Sequence, residues 1–162
     1  LNTKNILVDS NFHPKISLND IFLQSIMDAN KSKLTSNKFE KSYYYLSPEK
    51  LQLKEINEKG DVYPFSLVVY EILSNESPFK NQNEQFDLIK KIINNNFRPK
   101  LKDLIPNAYK NLIERCWSEN QNNRPNFSQI VSELESNQDL VTPEINKSEY
   151  DKYIQYINTK SI

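Results

Sequence analysis

Glycine is almost absent from this chain. Gly60 is the only glycine among 162 residues, whereas an average usage of about 7% would give about eleven. Loops that wrap phosphate groups need glycines, because a Cβ keeps backbone N–H groups from approaching the ligand. A lone glycine cannot build such a loop, so these residues contain no glycine-rich loop that cradles a nucleotide.

Cysteine, long apolar runs and an excess of either charge are also missing. Cys116 is the one cysteine, so no internal disulfide can form. No run of about 18 apolar residues is present to span a bilayer. The 21 basic residues balance the 21 acidic ones, so no net field draws the chain to nucleic acid or to an anionic membrane. We therefore expect a cytoplasmic, soluble chain without nucleic-acid or membrane partners.

The composition that is present suits one globular domain. Hydrophobic residues make up 37% of the chain and aromatic residues 11%, which is enough to fill a single core. The chain opens on Leu1 without a basic stretch followed by an apolar one, so we expect no signal peptide in this sequence. We expect the sequence to begin inside a gene or domain.

The hydrophobic pattern predicts a short β-hairpin followed by helices. Two β-prone runs, Ile6–Val8 and Lys15–Ser17, flank a polar connection. Residues 18–41 show no clear period, which indicates a loop with at most one helical turn. Helical spacing then predicts helices at Glu49–Lys54, Asp61–Leu73, Asn83–Asn94, Asn107–Ser118, Phe127–Ser136 and Ser148–Ile157.

The helix that begins at Asp61 is apolar on most faces, so we expect it to be the buried spine of the domain. Asp61 is a good N-cap residue, and Pro64 lies in the first turn, where a missing N–H matters little. Each of the later helices carries an apolar stripe that is predicted to face inward. These stripes are Phe86, Leu88, Ile89, Ile92 and Ile93; Leu112, Ile113, Cys116 and Trp117; Phe127, Ile130, Val131 and Leu134; and Tyr150, Tyr153, Ile154 and Ile157.

Four ordered motifs resemble the large helical lobe, or C-lobe, of a protein kinase. The resemblance implies a mainly α fold with a short N-terminal β-hairpin and five to six helices, and it favours the tyrosine-kinase-like group. Residues 1–136 would form the partial kinase-like domain, and residues 137–162 a C-terminal extension with a short helix. The motifs are LNTKNILVD at residues 1–9, SPE at 47–49, GDVYPFS at 60–66 and RCW with RP between 115 and 125.

The resemblance implies roles for four residues. Asn5 matches the asparagine that holds a magnesium ion next to the nucleotide, and it is the only candidate for metal or cofactor binding. Glu49 matches the glutamate that ends the activation segment, and Arg124 the arginine that pairs with it. Asp61 matches the aspartate that heads the buried helix and accepts hydrogen bonds from the backbone of the catalytic loop.

The sequence departs from the family pattern at residues that would bind metal and phosphate. Where the hairpin ends, the family has Asp-Phe-Gly and this chain has Leu18, Asn19 and Asp20. An alkyl side chain cannot coordinate a hard cation, and Asp20 stands at the glycine position. The catalytic-loop lysine is replaced by Asn2. We therefore assign no catalytic residue, and we expect ATP and Mg²⁺ to serve an intact parent protein but not this chain alone.

Several singled-out residues have simpler explanations. Asn5 can cap a turn as readily as it binds metal. Tyr43–Tyr45 are expected to pack beneath the loop rather than to bind substrate, and Cys116 to lie in the core. His13 is expected to be solvated without an acidic partner. The hydroxyls of Ser25, Thr35, Ser36 and Ser42 lie where kinases are regulated by phosphorylation, although polar loops contain hydroxyls by default.

Three functional hypotheses follow. The chain is the tail of a longer kinase-like protein, whose family transfers the ATP γ-phosphate to hydroxyls of protein substrates. Alternatively, it is a pseudokinase-type scaffold that binds protein partners without catalysis, or it is a vestigial fragment. In each case we expect this chain alone to be catalytically inactive, because the groups that would hold metal and phosphate are altered or absent.

Overall fold

A computed structural model describes residues 1–10, 13–17, 44–82, 84–142 and 145–160. Within these ranges the chain forms one antiparallel hairpin and six α-helices, which agrees with the predicted mainly α fold. No helix in the described part is long and apolar enough to cross a membrane. The strands are β1 (Ile6–Val8) and β2 (Pro14–Ile16), and the helices are α1 (Pro48–Leu51), α2 (Val62–Ser74), α3 (Gln85–Asn94), α4 (Asn107–Cys116), α5 (Phe127–Ser136) and α6 (Lys147–Lys160).

The N-terminal hairpin forms where the sequence predicts it. Ile6 pairs with Ile16 and Val8 with Pro14, so the proline stands at the start of its strand, where a missing donor disturbs the ladder least. The turn is closed by Asp9, whose N–H donates to the carbonyl of His13 at 3.1 Å. The predicted loop at residues 18–41 lies outside the described residues.

Helix α2 is the buried spine of the fold. Most of its side chains are buried, including Val62, Tyr63 and Leu67, each fully covered. The helix is apolar on most of its faces, and such a helix is stable where neighbouring elements cover those faces. The helix ends at Asn75, whose left-handed backbone (φ 52°) is typical of a helix C-terminus. Ile72 is an exception to this burial, because 68% of it is exposed.

The predicted side-chain cap of α2 is wrong. Asp61 occupies the N-cap position, but its side chain makes no capping hydrogen bond. A capping side chain needs an extended backbone at that residue, whereas Asp61 continues the preceding 3₁₀ turn (Glu58–Gly60) with φ −87° and ψ −15°.

Two clusters of buried side chains surround α2. The larger one joins α2 to α3, α4 and the segments between them, and the smaller one joins α2 to α4 and α5. Cys116 belongs to the smaller cluster, as predicted, and burial raises the pKa of its thiol to about 12. The larger cluster consists of Tyr63, Leu67, Tyr70, Phe79, Leu88, Ile92, Ile105, Ile113 and Trp117.

Some residues of the predicted apolar stripes face solvent instead. In α3, Leu88 and Ile92 are fully buried, one turn apart, while Phe86 is 79% exposed. Two residues correspond to about 200° of helical rotation, so Phe86 lies on the side of α3 opposite Leu88. Val131 is 47% exposed for the same kind of reason, because α5 buries only a narrow face around Ile130.

The C-terminal segment is longer and better anchored than the sequence predicts. Its helix, α6, runs from Lys147 to Lys160 rather than from Ser148 to Ile157. Leu140, in the 3₁₀ turn that follows α5, is 3% exposed. Tyr153, which the pattern placed inward, is 38% exposed. The domain limit at residue 136 stays a prediction.

Candidate functional site

Glu49 and Arg124 form a buried ion pair that joins α1 to the segment before α5. The Nη1 and Nη2 atoms of Arg124 donate to Oε1 and Oε2 of Glu49 at 2.7 and 2.9 Å. Arg124 is 1% exposed and Glu49 6%. This two-point geometry fits the planar guanidinium to the carboxylate and is stronger than a single contact between charges. We call this pair the latch.

The remaining donors of Arg124 are also used. Its Nε donates to the carbonyl of Ser118 at 2.9 Å, and Nη1 also donates to the carbonyl of Lys59 at 3.1 Å. Burial, the largest influence, raises the pKa of Glu49, but the hydrogen bonds from Arg124, from the Glu49 backbone and from Ser47 together with the charge of Arg124 outweigh it, so the pKa lies below its usual value. The carboxylate is therefore charged at neutral pH and is held by a fully bonded guanidinium.

Gly60 lies directly against the latch. A Cβ at this position would stand 2.5 Å from Cγ2 of Ile56 and 3.6 Å from Oε1 of Glu49. The first distance is shorter than real carbon contacts, so any larger residue forces Ile56 to move. The single glycine of the chain thus serves close backbone packing beside the buried pair.

A second arginine, Arg98, also lies next to the ring of Tyr63. The guanidinium carbon of Arg124 lies 5.3 Å from the centre of the Tyr63 ring, and that of Arg98 lies 5.0 Å from it. Arg98 donates from Nε to the carbonyl of Trp117 at 2.9 Å, and burial lowers the pKa of its guanidinium. Cation–π attraction to a buried ring adds to the packing of both arginines. Sequence reasoning missed Arg98 and Tyr63, although Arg98–Pro99 repeats the dipeptide Arg124–Pro125.

A second network joins the start of the chain to the segment before α1. Oε2 of Glu71, on α2, accepts hydrogen bonds from the hydroxyl of Thr3 at 2.9 Å and from the hydroxyl of Tyr45. Burial, and then the hydrogen bond to Glu71, raise the pKa of Tyr45. Tyr44 packs edge-on against Phe79, with ring centres 6.0 Å apart. Tyr43 lies outside the described residues.

Asn5 stands at the end of a 3₁₀ turn (Thr3–Asn5), immediately before β1. Its N–H donates to the side chain of Asn2 at 3.1 Å, and its carbonyl accepts from the N–H of Ser17 at 2.7 Å. The second bond brings the end of the hairpin next to Asn5, so position 18 follows directly on a residue bonded to Asn5. Leu18 itself lies outside the described residues.

These residues do not fit the metal–nucleotide group that the kinase resemblance implies. An amide oxygen, as in Asn5, can ligate Mg²⁺, but the ion also needs carboxylate ligands. The residue that follows Ser17 in the chain is Leu18, whose side chain has no donor atom. Among the described residues no group of three His, Cys, Asp or Glu side chains is arranged to hold a metal ion.

Asp61 is exposed and contacts α1. Its Oδ1 lies 3.6 Å from Nζ of Lys50, and 67% of its side chain is accessible. Within the described ranges its carboxylate accepts no hydrogen bond from residues 1–5. The family role of this aspartate involves catalytic-loop backbone that would come before Leu1, so that role stays a prediction.

His13 differs from the sequence expectation. Its Nδ1 lies 3.4 Å from Oδ2 of Asp9, and its ring stacks on Tyr156 of α6 with ring centres 4.7 Å apart. The acidic partner was available in the sequence four residues earlier. The stacking partner lies 143 residues further along the chain, so no local pattern could have identified it.

Comparison with known proteins agrees with the motifs. The family model described as protein tyrosine and serine/threonine kinase matches residues 1–134. Dual specificity protein kinase shkA of Dictyostelium discoideum is 35% identical over 136 residues, which is 83% of this chain and 25% of the relative. For dual specificity protein kinase shkC of the same organism the identity is 30% over 135 residues, or 83% and 26%.

A third relative aligns with nearly the whole chain. Dual specificity protein kinase pyk3 of Dictyostelium discoideum is 32% identical over 160 residues, which is 98% of this chain and 11% of the relative. The chain thus spans about a quarter or less of the length of these relatives. The family match, the hairpin with six helices and the latch agree: the chain belongs to the protein kinase family and corresponds to part of its large lobe.

Proposed function

We propose that this chain is a kinase large lobe that keeps the architecture of the family and does not itself transfer phosphate. The observation that carries the proposal is the residue set at the end of the hairpin. Ser17 is bonded to Asn5, and the next residue is Leu18, where the family has its metal-binding aspartate. Phosphoryl transfer depends on metal ions that bridge the phosphates, and this residue set supplies only one weak ligand.

A phosphate-transfer assay tests this proposal. The purified chain is incubated with γ-labelled ATP, Mg²⁺ and a general protein substrate, and label on the substrate and on the chain is measured. We expect no transfer above the level without protein. The active kinases of the family carry the carboxylate that Leu18 replaces, so the absence of a second metal ligand accounts for the expected result.

Two variants make the assay specific. Transfer that is lost in Asn5→Ala but kept in Asn81→Ala, an exposed asparagine on the α2–α3 connection, would contradict the proposal. Transfer that is equal in both variants would point to a contaminating kinase, and an inactive wild-type preparation from a second expression host would then support the proposal.

The alternative function is a pseudokinase-type module that binds protein partners. The observation that favours it is a cleft of about 510 Å³ between the α2–α3 and α3–α4 connections. Its floor includes the aromatic rings of Phe79 and Phe97, 6.2 Å apart. Lys100 lines it, and Lys80 and Lys102 both contact Glu76, at 2.6 and 2.5 Å. The lysines attract an acidic protein segment, and the aromatic rings offer a surface for an apolar side chain of that segment.

Fluorescence anisotropy with labelled acidic peptides tests the module. Binding that is lost in Lys100→Glu and kept in Lys147→Glu, a lysine at the exposed start of α6, would support it. Equal binding by both variants would show attraction between net charges alone and would contradict a specific site in the cleft.

A further inference from the structure

The hairpin has little to hold it in place by itself. None of the residues of β1 and β2 is buried, and Leu7, Val8 and Ile16 are 51%, 60% and 68% exposed. A two-stranded hairpin without a covered apolar face is marginally stable in water. At the end near Asn5 it is fixed by the bond from Ser17 and by the Thr3–Glu71 contact. The turn end needs a separate support.

Helix α6 supplies this support. Its first turn is attached to α5, because the hydroxyl of Tyr150 donates to the carbonyl of Leu134 at 2.8 Å. Two later tyrosines reach the hairpin. The ring of Tyr156 lies parallel to that of His13, with centres 4.7 Å apart and planes at 5°, and Tyr153 lies 6.1 Å from it at 27°. Residues three apart are neighbours on one helix face, so both rings can flank a single histidine.

The histidine is fixed to the hairpin by its own turn. The N–H of His13 donates to Oδ1 of Asp9 at 2.9 Å, and its Nδ1 lies 3.4 Å from Oδ2 of the same carboxylate. The contact with Asp9 limits rotation of the His13 side chain, so the position of the ring is coupled to the position of the turn. The ring is also partly covered, with 21% of the side chain accessible.

These contacts link the C-terminal helix to the site at the other end of the hairpin. Strand β1 begins one residue after Asn5 and β2 ends two residues before Leu18, so the turn and the candidate site are the two ends of one short ribbon. Helix α6 lies after residue 134, the last residue of the family match. It is thus an addition to the part of the lobe that the match covers.

We propose that α6 is an intramolecular strap, which docks on the hairpin turn through His13, Tyr153 and Tyr156 and restrains the ribbon that carries Asn5. Undocking of α6 frees the hairpin while the helical body stays folded, because the core around α2 does not include α6. A partner that captures α6 would thereby loosen the candidate site. This proposal does not depend on whether the chain transfers phosphate.

Hydrogen–deuterium exchange of the intact chain tests the strap. We expect the amides of β1 and β2 to exchange about tenfold faster in His13→Ala and in Tyr156→Ala, which is the upper range for loss of a stacked aromatic pair. The double variant should exchange no faster than His13→Ala, because Tyr156→Ala removes a contact that His13→Ala already removes. Amides of α2 should be unchanged in all three.

Two further variants serve as controls. His13→Phe keeps a ring at the turn and should keep most of the hairpin protection. Gln155→Ala changes an exposed residue beside Tyr156 and should leave exchange as in the wild type. Hairpin exchange unchanged in both alanine variants would overturn the proposal. So would additive effects in the double variant, or an equal rise in the exchange of α2, since each would show that the stack does not act as a separate strap.

Discussion

At the scale of single residues, the latch combines a long-range contact with complete burial. Removing a carboxylate and a guanidinium from water is unfavourable, and the mutual hydrogen bonds offset this only while both partners are present. Arg124 uses its donors on Glu49 and on backbone carbonyls of two segments. Loss of one partner therefore leaves a buried charge without compensation.

The first prediction compares a buried and an exposed arginine. Arg124→Ala should lower the free energy of unfolding by about 3 to 5 kcal/mol, since it leaves Glu49 buried and unpaired. Arg115→Ala removes an Nη2 that donates to both carboxylate oxygens of Glu133 at 2.6 Å, on an arginine that is 47% exposed, and it should lower the free energy of unfolding by about 0.2 to 1 kcal/mol. Urea unfolding measures both. Equal losses would show that burial does not determine the strength of the latch.

The second prediction concerns pH. The pKa of Glu49 is lower in the folded chain than its ordinary value of 4.5, so the unfolded chain binds more protons as the pH falls through this range. The contribution of Glu49 is therefore complete above about pH 4.5 and is lost as the pH falls through the folded pKa. Glu49→Gln should be less stable than the wild type at neutral pH. It should lose less stability than the wild type between about pH 5 and about pH 3. Parallel curves in urea titrations would contradict this assignment.

Residue-level prediction worked where a motif specifies a contact. The resemblance named Glu49 and Arg124, and the structure brings these side chains together. It gave no indication that Tyr63 lies next to two guanidiniums, or that Glu71 accepts hydrogen bonds from Thr3 and Tyr45. These arrangements depend on how distant segments meet, and no spacing along the chain records that.

At the scale of helices and strands, periodicity located the elements well and their exposed faces less well. Apolar residues at helical spacing identified α2 to α5, and α5 has its predicted bounds. Periodicity cannot say how much of a helix the neighbours cover, which is why Phe86 and Val131 were placed inward although they are exposed. Helix ends depend on backbone angles, and those are set by the preceding turn.

The third prediction separates a true cap from an apparent one. Asn126 and Gln129 form a reciprocal capping box at the start of α5, with hydrogen bonds of 2.8 and 2.9 Å. Asn126→Ala should lower the free energy of unfolding by about 1 kcal/mol. Asp61→Ala, at the start of α2, removes no capping bond and should change it by less than about 0.5 kcal/mol. Thermal unfolding compares the two, and a larger loss for Asp61→Ala would mean that its carboxylate has a role which the capping geometry does not include.

At the scale of the whole molecule, the helical body and the hairpin differ in how they are supported. The body is held by two clusters of buried side chains and by the latch. The hairpin leaves Leu7, Val8 and Ile16 exposed. Exposed apolar residues of this kind mark surfaces that other structure normally covers, so we expect the chain to gain solubility when such a partner is present.

We propose that this chain keeps the groups that hold a kinase lobe together, whereas Leu18 replaces the metal-binding aspartate of the family. A thermal-shift titration of the chain with ATP and Mg²⁺ tests it most directly, because a ligand that binds the folded state raises the midpoint of unfolding. We expect no change of the midpoint of unfolding up to millimolar ATP. A rise with increasing ATP and Mg²⁺ that is abolished in Asn5→Ala would contradict it.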